Sequence, residues 1–319
     1  MYKFSLSLFC VAIFFTSACG GGNNSSNQEL EKGLFSNSVM ADPTLENGEK
    51  VEEIAATNQQ EQYSLNAVAS ENRPNVFFKV YELIQNMDQY NSSKYALNEV
   101  LSESCDYGGS FILTSDAEYR NDANIDVVYN QCDMFDGVII DGSADMFLSD
   151  YDISEDEYTK VDITYTSDFT MKGDDEVVGK TAVTILAGST SEIEYLSFNI
   201  FGPIESDMTI SAVAITDGVR TGLENANVRS TINFLYPLEM YYKSGRFYID
   251  DLTAYAEFDE TWDMSQTPFV FDSNNGELIG GEARFDLANG GKAKIVGAGG
   301  EPITHVDADG DGVFELIEN

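Results

Sequence analysis

One histidine, His305, stands in the whole chain of 319 residues, and that scarcity excludes a good deal of chemistry. The common zinc sites and Cys/His nucleophile pairs have nothing to be built from, and a Ser/His/Asp triad would have to use His305. No Gly-x-Ser-x-Gly elbow supplies a serine for it, so His305 reads as a strand residue beside the acidic C-terminal loop. Basic residues are scarce as well: 17 Lys and Arg face 55 Asp and Glu, a formal net charge of -38. A field of that sign repels nucleic acid and anionic headgroups, so neither is expected as a partner of the folded part. It favours cations and basic ligands. The run Gly297-Ala298-Gly299-Gly300 lacks the strand, helix and lysine context of a phosphate cradle and reads as a turn. No enzyme activity is expected, and no catalytic residue or organic cofactor is assigned.

Cysteine is rare, at 4 residues, and each has a separate reading. Residues 1–18 form an export signal, with Lys3 as a small basic n-region and Leu6 to Phe15 as an apolar stretch too short to span a bilayer. Cys10 leaves with it. The following Phe15-Thr16-Ser17-Ala18-Cys19-Gly20 resembles the lipobox of bacterial lipoprotein precursors, in which the cysteine is lipidated and becomes the new N-terminus. The resemblance makes Cys19 the lipid attachment site, although Thr16 stands where that family usually has leucine. Because Gly20 is not the aspartate that tends to retain such proteins in the inner membrane, the expected location is the cell envelope, at the outer membrane where the host has one. Cys105 and Cys132 remain and are expected to form a disulfide that closes a loop of about 27 residues, contributing about 3 to 4 kcal/mol.

Residues 19–72 are rich in Asn, Gln, Glu and Ser and read as a disordered tether running from Cys19. A coil of about 50 residues has an end-to-end distance of about 40 Å. Residues 73–319 read as a single β-rich domain. It opens with a helix after Arg73-Pro74, whose Phe77, Val80, Tyr81, Ile84 and Met87 share one face. A shorter helical run follows through Tyr95, Leu97, Val100 and Leu101. From Gly108 onward apolar and polar residues alternate instead, in about a dozen short runs separated by Asp, Asn and Gly. Asp217-Gly218, Ser244-Gly245, Asn274-Asn275-Gly276 and Asn289-Gly290-Gly291 read as hairpin turns. The fold class is mainly β: an antiparallel sheet, as a sandwich or a curved half-barrel, with one or two N-terminal helices packed on it. Trp262, Tyr255, Phe258, Tyr241 and Tyr242 form the one candidate sugar platform, although aromatic residues on strands are more often core.

The most specific chemistry lies in Asp307-Ala308-Asp309-Gly310-Asp311-Gly312-Val313-Phe314-Glu315-Leu316-Ile317-Glu318. Acids at loop positions one, three, five, nine and twelve, with glycine at six, follow the oxygen-ligand pattern of an EF-hand calcium loop. The expected ligands are the Asp307, Asp309, Asp311, Glu315 and Glu318 carboxylates and the Val313 carbonyl, and the expected ion is calcium. The run also resembles the calcium loops of dockerin, thrombospondin and integrin-type repeats, which come in arrays where this chain has one copy. Taken with the lipobox, the polar tether, Cys105-Asp106-Tyr107-Gly108-Gly109-Ser110, Gln131-Cys132 and Asp141-Gly142-Ser143, it makes nearly the whole chain resemble a group of bacterial lipoproteins of unassigned function. The expected role is that of a lipid-anchored envelope protein, non-enzymatic, with a surface-binding or structural function and one structural calcium. The alternatives are a carrier of an apolar ligand in a half-barrel cavity, or a polysaccharide-directed hydrolase. The expected partners are the membrane, through the lipid anchor, and a protein, glycan or apolar ligand that the sequence does not specify. Replacing Cys19 with Ala is expected to move the protein from the membrane fraction to the soluble one; retention after a high-salt wash would place the anchor elsewhere.

Overall fold

The computed structural model describes residues 35, 37–52, 99–105, 107–115, 122–133, 138–152, 157–173, 182–197, 204–216, 218–233, 236–258, 268–271, 278–299 and 302–314. In chain order the strands begin with β1 (Val39–Met40), β2 (Glu99–Ser104), β3 (Gly108–Ser115), β4 (Ala123–Asp133), β5 (Val138–Asp152), β6 (Glu157–Tyr165), β7 (Phe169–Gly173), β8 (Ala182–Ile185) and β9 (Thr190–Ser197). They continue as β10 (Ile204–Thr216), β11 (Val219–Asn233), β12 (Tyr236–Ile249), β13 (Ala254–Phe258), β14 (Phe269–Phe271), β15 (Leu278–Gly280), β16 (Glu282–Asp286), β17 (Lys292–Val296) and β18 (Ile303–Asp307). The helix α1 (Leu45–Glu52) lies between β1 and β2. As the alternating pattern predicts, the architecture is a mainly antiparallel sheet with an N-terminal helix.

The antiparallel ladder runs β2-β3-β4-β5-β6-β9-β10-β11-β12-β13-β16-β17-β18. Three of its long strands change partner along one edge. Residues 144–152 of β5 pair with β6, and residues 138–141 pair with β7. Residues 205–211 of β10 pair with β9 and residues 214–216 with β8. Residues 238–240 of β12 pair with β14 and residues 245–249 with β13. The points of change line up across neighbouring strands, so the sheet bends along a crease.

Residues out of step with their strand mark that crease. In β4, Ala123, Ile125, Val127 and Tyr129 are buried while the residues between them are exposed, but the next buried residue is Cys132, because Gln131 takes a left-handed φ of 47° as a bulge. Asn225 does the same in β11, also at φ 47°. In β12 the buried set passes from Met240 and Tyr242 to Phe247 and Ile249 across Gly245, at φ 135°. A bend of this kind frees backbone amides from the ladder, and short side chains take them up. Asp141 accepts from Gln131 N at 3.0 Å and Ser167 from Ser143 N at 2.9 Å. Asp168 accepts from Ala187 N at 3.0 Å, Ser189 from Val213 N at 3.2 Å and Ser211 from Asn225 N at 3.0 Å.

One face of the sheet buries the core. Tyr242, Phe247, Phe258, Phe269 and Phe285 form one aromatic group, with Phe247 and Phe258 centred 5.1 Å apart. Phe111, Tyr129, Tyr165 and Phe169 form another. Burial of each such ring contributes about 1.5 to 3 kcal/mol. Cys105 and Cys132 form the expected disulfide, with Cα atoms 5.5 Å apart, tying the end of β2 to the bulged end of β4.

The structure departs from the sequence reading in several places. The stretch 19–72 is not tether throughout: Asn37–Glu52 packs on the sheet, with Ala41 and Val51 buried. Averaged composition hides these few apolar residues among polar ones. Val100 and Leu101 lie in β2 rather than in a helix, opposite Thr114 and Leu113, because pairing with β3 overrides a weak local helical pattern. The helix expected after Arg73-Pro74 lies outside the described residues. Ser244-Gly245 is a bend inside β12 and not a hairpin turn. Tyr242 and Phe258 point into the core, so they do not form a platform with Tyr241, which bonds Glu239 on the other face; Trp262 lies outside the described residues.

The crease yields a mutational test. At Gly142, φ is 129° and an added Cβ would sit 2.5 Å from the Asp168 carbonyl oxygen, whereas at Gly218, φ 85°, it would meet nothing within 4 Å. Gly142→Ala is expected to cost about 2 to 4 kcal/mol in urea unfolding and Gly218→Ala about 1 kcal/mol. Equal losses would mean that the close approach at the bend is not what requires glycine.

Candidate metal centre at the end of the last strand

The hairpin β17-β18 delivers the acidic loop. Its register sets Ala293 opposite Val306 and Lys292 opposite Asp307. Ala293 and Val306 are buried, and Asp307, at 1% exposed, is the last strand residue. The loop then folds around the Asp307 carboxylate. Gly310 N donates to its Oδ1 at 2.8 Å and Gly312 N to its Oδ2 at 2.9 Å. Asp311 N donates to Asp309 Oδ1 at 3.3 Å, and Val313 N to Asp311 Oδ1 at 2.8 Å. Gly310 at φ 75° also lies against Gly290, where an added Cβ would come within 2.8 Å of the carbonyl oxygen. A side chain there would push the loop off the turn below it.

These bonds aim the carboxylates inward. Oxygens of Asp307, Asp309 and Asp311 all lie within 4.8 Å of one another. Each ionised carboxylate keeps lone pairs beyond those used by the amides, so the group can offer oxygen ligands to a hard cation. Among the expected ligands, the structure brings Asp307, Asp309 and Asp311 together. It leaves Val313 61% exposed, while Glu315 and Glu318 lie outside the described residues. Phe314, just past the loop, has the Arg284 guanidinium 5.7 Å and the Lys294 ammonium 5.1 Å from its ring centre. Those cation contacts fasten the exit of the loop to β16 and β17.

His305 faces Lys294 across the ladder. Burial, and then the Lys294 charge, hold its pKa below the usual value, so it is a neutral strand residue at pH 7. Cys19 lies outside the described residues. Among those described, no helix is long and apolar enough to cross a membrane.

A second group, on the outer face, carries no sequence signal. Asp162 lies opposite Glu192, which is bonded by Lys160, and its Oδ1 is buried without a hydrogen-bond partner. Burial pushes its carboxyl up to about 6; Lys160 opposes that shift, and Glu192 and Asp150 add to it. Only the register of β6 against β9 brings these groups together. Compared with protein-family models, with curated proteins and with solved structures, the chain matches none.

Asp162 gives a pH prediction with a definite sign. Its folded pKa, about 6, stands above the model value of 3.8, so the native state binds the proton more tightly than the unfolded one. The group therefore costs stability once ionised, and that cost disappears as pH falls from about 6 to about 4. Asp162→Asn is expected to raise the urea midpoint at about pH 8, with the difference closing near pH 4. A lower midpoint at high pH would show that the carboxylate is satisfied in the native state.

Proposed function

We propose that this chain is a lipid-anchored protein of the cell envelope whose β domain carries one structural calcium ion and has a binding or structural role rather than a catalytic one. The observation that carries this reading is the convergence of the Asp307, Asp309 and Asp311 oxygens within 4.8 Å at the end of a paired hairpin. Like charges that close repel one another, and a divalent cation removes the repulsion. Calcium suits the group better than magnesium, which demands tighter octahedral geometry and keeps its waters. The disulfide fits an oxidising compartment outside the cytoplasm. Acyl chains on Cys19 would hold at a membrane a domain whose charge of -38 otherwise keeps it away from anionic lipid. The inward-facing rings contact one another, an arrangement that favours a solid interior over the cavity an apolar carrier needs.

An extracellular-type affinity, a Kd of about 0.1 to 1 mM, is expected. Calcium at about 10 mM would then stabilise the fold by roughly 1.4 to 2.7 kcal/mol, a rise of a few degrees in Tm. Magnesium should do much less. The double change Asp309→Asn and Asp311→Asn replaces exposed carboxylates, keeps the Asp307 hydrogen bonds, and is expected to remove the calcium-specific rise seen by calorimetry. An equal rise with magnesium, or one that survives the double change, would mean general screening of an acidic surface and would sink the site.

A further inference from the structure

Phe35 and Asn37–Glu52 lie across the outside of the sheet in a way that differs from every strand of the ladder. The Phe35 ring stacks on Tyr248, centres 4.5 Å apart, and reaches Leu252 over Gly222, where an added Cβ would meet the Phe35 ring at 2.9 Å. β1 then pairs with β13, and this pairing is parallel. Val39 N donates to Thr253 O at 3.0 Å, Ala41 N to Tyr255 O at 2.8 Å, and Ala288 N to Ala41 O at 2.8 Å. Pro43 rests on Gly291. In α1, Gly48 lies against Thr304 and Val306, and Val51 is fully buried. Lys50 bonds Asp250 at 2.7 Å, and the Glu52 carboxylate accepts from Thr304 Oγ1.

The parts that make up this segment are weak ones. A helix of 8 residues is marginal by itself, and α1 has Asn47-Gly48 at its centre, with glycine costing about 1 kcal/mol against alanine. Gly48 is there because the seat leaves no room for a side chain. Only Thr44 Oγ1, accepting from Asn47 N, caps the helix start. The helix therefore forms when it docks and has little reason to persist undocked. The turn it clasps is strained, since Asp250, Asp251 and Leu252 have consecutive left-handed φ values of 50°, 59° and 68°. Releasing the clasp lets that turn relax.

We propose that Phe35 and Asn37–Glu52 form a releasable strap, which docks on and leaves the sheet as a local unit and so sets how far the domain stands from its anchor. The reach of the tether rests on the lipid-anchored reading above; the strap itself does not. With the strap docked, the chain from Cys19 meets the domain at Phe35, a span of at most about 55 Å. With the strap released, the attachment point moves past residues 53–98 to β2, and the limit rises several-fold. Release also bares the Thr253 and Tyr255 carbonyls at the β13 edge and the Tyr248 ring.

Native-state hydrogen exchange on the full mature chain tests this. Amides of Val39 and Ala41 are expected to exchange at least about 10-fold faster than those of Val127 and Val228, with little dependence on low denaturant. Val51→Asp should abolish protection at Val39 and Ala41 and leave the core amides protected. Strap amides that share the core's rate and denaturant dependence, or loss of core protection in Val51→Asp, would overturn the proposal. On vesicles, donor-labelled domain and acceptor-labelled lipid should show lower energy transfer for Val51→Asp. Failure to partition with vesicles at all would refute the anchor while the exchange result still decides the strap.

Discussion

The sheet depends on solving one local problem, which is where the backbone amides go when the ladder bends. A crease across several strands leaves N–H groups without their partners, and each one buried and unpaired would cost about 1 to 3 kcal/mol. Asp141, Ser167, Asp168, Ser189 and Ser211 stand at those points, and each accepts one such amide. These residues are short, so the oxygen reaches the neighbouring backbone without an intervening water. The crease in turn lets β5, β10 and β12 serve different partners at their two ends. It is also what brings both aromatic groups onto one buried face.

Much of this sheet could be read in the sequence, because alternation is a local signal. Ile125, Val127 and Tyr129 announce their face by spacing alone, and β4 places them inside. The reading fails where the structure slips by a residue. Beyond Gln131 and Asn225 the inward positions change parity, and nothing in the local sequence marks the slip, since Gln and Asn adopt left-handed φ here only because the crease requires it. Val161 to Met171 looks like one strand and is two, β6 and β7, separated where Thr166 and Ser167 turn to Ser143. The run around Val100 and Leu101 reads as helix until β3 is available to pair with it.

The candidate site divides along the same line. Asp307, Asp309 and Asp311 are neighbours in sequence, so their convergence depends on a short loop and two glycines, and it was legible in advance. Val313, Glu315 and Glu318 were legible only as a spacing. The contacts of Phe35, Lys50 and Glu52 were invisible, because Tyr248, Asp250 and Thr304 lie about two hundred residues or more away. Asp162 belongs to the same class: its surroundings are assembled by register and leave no local trace.

The turn at Ala288–Gly290 has Pro43 against Gly291 on one side and Gly310 against Gly290 on the other. The earliest and the latest described stretches of chain thus meet at one place, and the strand array between them is an excursion that sets out from there and returns. A polypeptide laid out this way is not committed to its present order of reading. Joined across that turn and opened at the tight connection between Thr216 and Val219, which pair directly, a circularly permuted chain would keep every strand beside its present neighbours. Order along the chain and order in space are therefore separable in this fold.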